Sequence, residues 1–149
     1  MGIKIIAKNK RATYDYSIKE RFEAGMMLQG TEVKSLRLGK ATIAEAYISI
    51  DNNFEAWVYN LHIPQYEFGN IHNHQEDRKR KLLLNLKEIQ LIKHKMKAEG
   101  MTLVPTIIYF KKSLVKLEIA LGKGKKLHDK RADQAKKDVE KKLRQGRYE

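Results

Sequence analysis

The sharpest pattern in the chain is a two-residue alternation near residue 120. Val115, Leu117, Ile119 and Leu121 fall on one side, while Lys116, Glu118 and Ala120 fall on the other. A period of two is the signature of a strand with one buried face. This stretch forms the second half of a predicted hairpin that starts at Thr106. Pro105 has no N–H for a ladder, so it belongs at a strand start, an edge or a bulge. Ile3 to Lys8 alternates more weakly and predicts a first strand, and Ile18 to Leu28 predicts another, with Gly25 marking a bulge or bend. A second hairpin is predicted from Ala46–Ile50 through Asp51-Asn52-Asn53 into Phe54–Tyr59, because Asp and Asn tolerate left-handed turn conformations.

Two segments carry helical signals. Thr31 is an expected N-cap, with Glu32 favoured at the positive helix start and Gly39 as the stop. Asn85 and Glu88 have capping-box spacing, Leu86, Ile89, Ile92 and Met96 give an apolar stripe, and Gly100 ends the run. Residues 62–81 are polar and read as a long loop. The resulting order is strand, strand, short helix, two strands, long loop, helix, two strands. It predicts a mainly β fold: a small closed antiparallel barrel of the OB type with short helices.

Charge changes the picture at the C-terminal end. The 149 residues include 31 Lys+Arg against 18 Asp+Glu, a net charge of +13 that points to a polyanionic partner. Residues 1–121 hold 20 basic and 13 acidic side chains, whereas residues 122–149 hold 11 and 5. We therefore divide the chain into a barrel, 1–121, and a basic tail, 122–149. The tail has little to bury, and its pairs Asp133→Lys137, Asp138→Lys142 and Glu140→Arg144 support only marginal helicity. It is expected to be disordered alone and helical against a polyanion. With no cysteine, disulfide scaffolds, Cys-based zinc sites and thiol nucleophiles are excluded. No apolar run approaches the ~18 residues of a membrane span, so a soluble, cytoplasmic protein with no membrane partner is the default expectation.

Three constellations have possible chemistry. His62, His72 and His74 share the long loop but lack a fourth ligand at a familiar spacing, so no metal is expected. Glu32-Val33-Lys34 has the E-x-K form of some metal-dependent nucleases, and also fits a plain helix-start acid. Arg78-Lys79-Arg80-Lys81 is a cation run suited to phosphate, with Tyr14, Tyr16, Trp57 and Tyr59 as stacking rings or core residues. On the residues alone the readings are an RNA-binding barrel, a general ribosomal-RNA or assembly factor, and a nuclease.

Six collinear segments narrow this. They are Asn9-Lys10-Arg11-Ala12, Phe22-Glu23-Ala24-Gly25, Gly30-Thr31-Glu32-Val33-Lys34-Ser35-Leu36-Arg37, Gly39-Lys40-Ala41, Arg78-x-Arg80-Lys81-Leu82-Leu83-Leu84 and Lys123-Gly124-Lys125-Lys126-x-His128-Asp129-Lys130-Arg131. Together they resemble the small protein B family over essentially the whole chain. Thr13-Tyr14, Glu76 and Lys112-Ser113 depart from that family's usual pattern without touching the tail signature. The resemblance implies an OB-fold, non-enzymatic adaptor without a cofactor. It would bind the tRNA-like domain of transfer-messenger RNA (tmRNA) and deliver it to stalled 70S ribosomes. Alanyl-tRNA synthetase and elongation factor Tu would act through the tmRNA. It ties Asn9, Glu23, Leu83 and Lys116 to tmRNA binding, and we add the cations Lys10, Arg11, Lys34, Arg37, Arg78, Arg80 and Lys81. Glu23, a carboxylate, suits base amines or 2′-hydroxyls rather than phosphate, or else orients a neighbouring Arg or Lys. Leu83 has two open readings, core or RNA-facing. The resemblance further places the tail in the empty decoding centre and mRNA channel, through Gly124, His128 and Asp129-Lys130-Arg131; Lys123, Lys125 and Lys126 complete that set. Gly122 and Gly124 are the expected hinge.

Overall fold

A computed structural model describes residues 3–69 and 73–125 of the chain. Among these residues, seven strands and three helices follow in the order β1 (Ile3–Lys8), α1 (Lys10–Asp15), β2 (Tyr16–Met26), α2 (Gly30–Arg37), β3 (Tyr47–Ile50), β4 (Ala56–Tyr59), β5 (Arg80–Leu83), α3 (Leu86–Glu99), β6 (Thr102–Lys111) and β7 (Leu114–Gly124). All strands pair antiparallel in one sheet, ordered β1-β6-β7-β2-β5-β4-β3. Among the described residues no ladder joins the two end strands. The sheet instead wraps so that β3 lies against β6, and the expected barrel meets there by packing rather than by a hydrogen-bonded seam.

The alternation read from the sequence sorts the residues as expected. Val115, Leu117, Ile119 and Leu121 enter one core with Ala24, Ile48, Val58, Leu82 and Ile108. In α3, Asn85 and Glu88 exchange hydrogen bonds of 3.3 Å at the start, and Gly100 takes φ +64° at the end. Ile89 and Ile92 are buried and Met96 packs beside them, whereas Leu86, expected in the same stripe, is 56% exposed. Asp51 builds the β3–β4 turn. Its Oδ1 accepts from the N–H groups of Asn53 and Glu55, and its Oδ2 from Trp57 Nε1.

Several elements differ from the sequence reading. Helix α1 was not predicted; it has one buried side chain, Ala12, and so no apolar stripe to reveal it. Helix α2 is capped at Gln29, two residues before the expected Thr31 cap, because Glu32 reaches back to accept from the Gln29 N–H at 2.7 Å. Strand β5 lies partly inside the expected loop. Strand β6 begins at Thr102 rather than Thr106, and its register shifts between Pro105 and Ile107, so Pro105 sits at a bulge.

Strand β7 runs to Gly124, three residues past the expected domain boundary, with Gly122 opposite Ile18 and Gly124 opposite Tyr16. Gly122 is therefore a packing residue and not part of a hinge. A Cβ there would stand 2.9 Å from the Ser17 carbonyl oxygen and 3.2 Å from Tyr16 Cβ. Gly122→Ala is expected to push β7 off β2 and destabilise the fold by about 1–3 kcal/mol, read as a lower urea midpoint.

Candidate nucleic-acid interface

The register places several distant residues in one row on the outside of the sheet. Ile5 stands opposite Tyr109, Tyr109 opposite Lys116, Lys116 opposite Gly25, and Gly25 opposite Leu83. Glu23 lies on the same face two residues along β2, opposite Glu118. Three residues singled out from the sequence, Glu23, Leu83 and Lys116, thus surround Gly25. Lacking a side chain, Gly25 leaves a low floor; a Cβ there would touch Leu83 Cβ at 3.3 Å. Leu83 is 50% exposed, which settles its place: it faces outward, beside a recess lined by Phe54, Glu55, Lys81 and Leu86.

The charges of this face are ordered by hydrogen bonds. The Tyr109 hydroxyl donates to Glu23 Oε2, and Lys111 Nζ lies 3.4 Å from the same oxygen. The Tyr109 bond, with smaller contributions from Lys111 and Lys116, holds the Glu23 carboxyl below the usual range. Arg21 pairs with Glu118 at 3.1 Å, and Glu118 also accepts from Thr106 Oγ1 at 2.6 Å. Both carboxylates are therefore held in place, and half-buried Lys116 lies beside them, two residues from Glu118 on β7.

Asn9 continues this surface by anchoring α1. Its N–H donates to Thr106 O at 2.7 Å and its Nδ2 to Pro105 O at 3.0 Å, fastening the helix start to the β6 bulge. Its Oδ1 is buried without a partner among the described residues. A recess beside it is lined by Lys8, Lys10, Thr13 and Arg21, joining the α1 cations to the sheet face. Lys10 and Arg11 are exposed, Arg11 lying 3.7 Å from Asp15.

Other predicted contacts lie elsewhere. Lys34 and Arg37 are exposed on α2, with Lys34 Nζ 5.5 Å from the Tyr66 ring centroid. Lys81 pairs with Glu55 at 2.7 Å, and Lys79 stands 4.6 Å over the Trp57 ring. Tyr59 stacks on Tyr47 at 5.1 Å, while Tyr16 packs against the small cluster of Ala12, Val104 and Ala120. Tyr14 is half-buried.

Arg80 corrects the sequence reading most sharply. It is wholly buried and donates to Glu32, to Leu61 O at 2.5 Å and to Glu76 O at 3.0 Å, so it has no surface to offer a phosphate. Arg78 is partly exposed but also binds Glu32, at 2.5 and 3.0 Å. Burial pushes the Glu32 carboxyl up, yet bonds from Arg78 and the Gln29 N–H, with the charge of Arg80, bring it below the usual range. A carboxylate enclosed in this way cannot hold a catalytic metal, so the nuclease reading of Glu32-Val33-Lys34 loses its ligand. His74 is likewise buried, between Thr31 Oγ1 and Ile63 O, and His62 lies against Glu76 and Asp77. His72 is outside the described residues.

Of the tail residues, Lys123 and Gly124 belong to β7. Lys125 donates from its N–H to Asp15 O and from Nζ to Thr13 O. Lys126, His128, Asp129, Lys130 and Arg131 lie outside the described residues. Sequence reasoning missed Tyr109, Lys111 and Arg21. The outward positions Ile107, Tyr109 and Lys111 were available from the alternation of β6, but an aromatic in an apolar strand reads as core.

Comparison with known proteins adds an independent observation. The family model "SmpB protein" matches residues 6–148. The SsrA-binding protein of Geotalea uraniireducens is 53% identical over 139 residues, covering 93% of this chain and 91% of its own. That of Pelobacter propionicus is 52% identical over 145 residues, covering 97% and 95%. A solved structure from work on tmRNA–SmpB at the centre of the bacterial ribosome matches with a TM-score of 0.67 and 42% identity, covering 81% of this chain and 85% of that one. Similarity along nearly the whole length leads to one statement: the chain belongs to the SmpB family.

Proposed function

We propose that this protein is an adaptor that binds the tRNA-like domain of tmRNA on its outer sheet face and delivers it to stalled ribosomes for trans-translation. The observation that carries the reading is the convergence of Glu23, Lys116 and Leu83 around the bare floor of Gly25, with Asn9 and the α1 cations alongside. Lys116, Lys10 and Arg11 supply phosphate contacts, Leu83 an apolar seat for a base or sugar, and Glu23 an acceptor. The adaptor has no chemistry of its own; peptide transfer belongs to the ribosome. Its tail, from Lys126 onward, occupies the empty decoding centre and mRNA channel, and its setting is the cytoplasm with the ribosomes it serves. Support for an adaptor over a nuclease is the enclosure of Glu32 by two arginines.

Binding of the full chain to transcribed tmRNA over a salt series tests this. Lys116→Ala is expected to weaken binding and lower the slope of log affinity against log salt by about 1, as one lost phosphate contact should. Leu83→Ala should weaken binding with the slope unchanged. Equal affinity of the wild type for tmRNA and for an unrelated structured RNA overturns the reading, favouring a general ribosomal-RNA binder instead.

A further inference from the structure

Glu23 poses a physical problem on a face meant for RNA. An ionised carboxylate only accepts hydrogen bonds and repels phosphate, so an exposed one lowers affinity unless the ligand presents a donor to it. Nearly two-fifths of its side chain is accessible, and a free glutamate there would sample many rotamers. Instead its Oε2 is held by the Tyr109 hydroxyl and approached by Lys111. Its Oε1 has no hydrogen bond among the described residues. Tyr109 itself is 6% exposed, and its hydroxyl reaches the carboxylate.

We propose that Tyr109 is a positioning residue of the RNA face: it fixes Glu23 so that Oε1 points outward as an acceptor for an N–H or O–H donor of the RNA. This rests on the tmRNA reading above and extends it by one residue and one ligand chemistry. The donor is a base amine or imine, or a ribose 2′-hydroxyl. A phosphate, having no proton at neutral pH, is rejected at this point while Lys116 attracts one close by. The held carboxylate thus sets register, and the cation beside it supplies affinity. Burial, then the bond to Glu23, raises the phenol well above its ordinary value, so it stays protonated and donating throughout the physiological range.

The test is a double-mutant cycle on the full chain with transcribed tmRNA. Tyr109→Phe removes one oxygen and is expected to weaken binding about tenfold, with the salt slope unchanged, because a freed Glu23 must be ordered again on binding. Glu23→Gln should weaken binding at least as much, and adding Tyr109→Phe to it should cost nothing further. Wild-type affinity in Tyr109→Phe overturns the proposal. So does a tenfold loss that recurs in full in the Glu23→Gln background, since that marks a role in the fold alone. Circular dichroism checks that Tyr109→Phe is folded. If it is not, carbon-13 titration of Glu23 in the wild type decides: a carboxyl pKa below the usual range is expected, and an ordinary one overturns the proposal. Intact wild-type binding with an indifferent Tyr109→Phe overturns this inference only, whereas wild type without preference for tmRNA overturns the functional reading and this one with it.

Discussion

Arg80→Met is expected to destabilise the fold by about 3–5 kcal/mol, a large part of the roughly 5–15 kcal/mol available to a small domain. The cause is the group left behind. Glu32 has no exposed surface, and without Arg80 it keeps only Arg78 and the Gln29 N–H. The carbonyls of Leu61 and Glu76 lose their donor at the same time. Urea unfolding measures the loss. Arg78→Met should cost much less, because that side chain reaches solvent and water can replace part of what it gives. Replacing Glu32 and Arg80 together by apolar residues should cost less than Arg80→Met alone, since no buried charge remains. The sign of the pH dependence follows from Glu32, whose carboxyl is lowered in the folded state. Its contribution is present above the unfolded carboxylate pKa and is lost as pH falls through the folded value, so the wild type weakens in acid. Under conditions where Arg80→Met stays folded, its tmRNA affinity should be unchanged; a direct loss would restore Arg80 to the RNA face.

The same residue shows where sequence reasoning stops. Helix α3 and the two hairpins were legible because their signals are local: an Asn85–Glu88 cap, an Asp51 turn, an alternation from Val115 to Leu121. Strand β5 was not. Its inward positions are Arg80 and Leu82, and an arginine at a core position reads as surface, so the strand dissolved into the loop before it. Its acceptors, Glu32, Leu61 and Glu76, lie up to 48 residues away, and nothing local announces them. The candidate site divides in the same way. Resemblance picked out Glu23, Leu83 and Lys116 one by one. Only the pairing of β2 with both β5 and β7 makes them neighbours, and only that pairing decides that Leu83 faces outward. Tyr109 was hidden for the opposite reason to Arg80. It looks like core and is buried, yet its single polar atom reaches the surface charge that matters.

Deleting residues 126–149 is expected to leave tmRNA binding within about threefold of the full chain and to abolish peptide tagging on ribosomes stalled without a stop codon. The cut belongs after Lys125 and not at the composition change after Leu121. Gly122, Lys123 and Gly124 complete the ladder with β2, and Lys125 ties that end to Asp15 and Thr13. Removing them would strip the β2 edge and blur a binding defect with a folding one. The cut also leaves Lys123 and Lys125 with the barrel and takes away nine basic and five acidic residues, so the barrel face keeps its own cations. If the two charge densities have separate tasks, the shortened chain should show the salt slope of the full chain on tmRNA while failing on the ribosome. Purified translation on a message lacking a stop codon, with the tagged product counted, measures the second task, and filter binding measures the first. Tagging that survives the deletion removes the tail from the mechanism. Binding and tagging that fall together, with the circular dichroism spectrum intact, would mean that the tail's charge belongs to the RNA face after all.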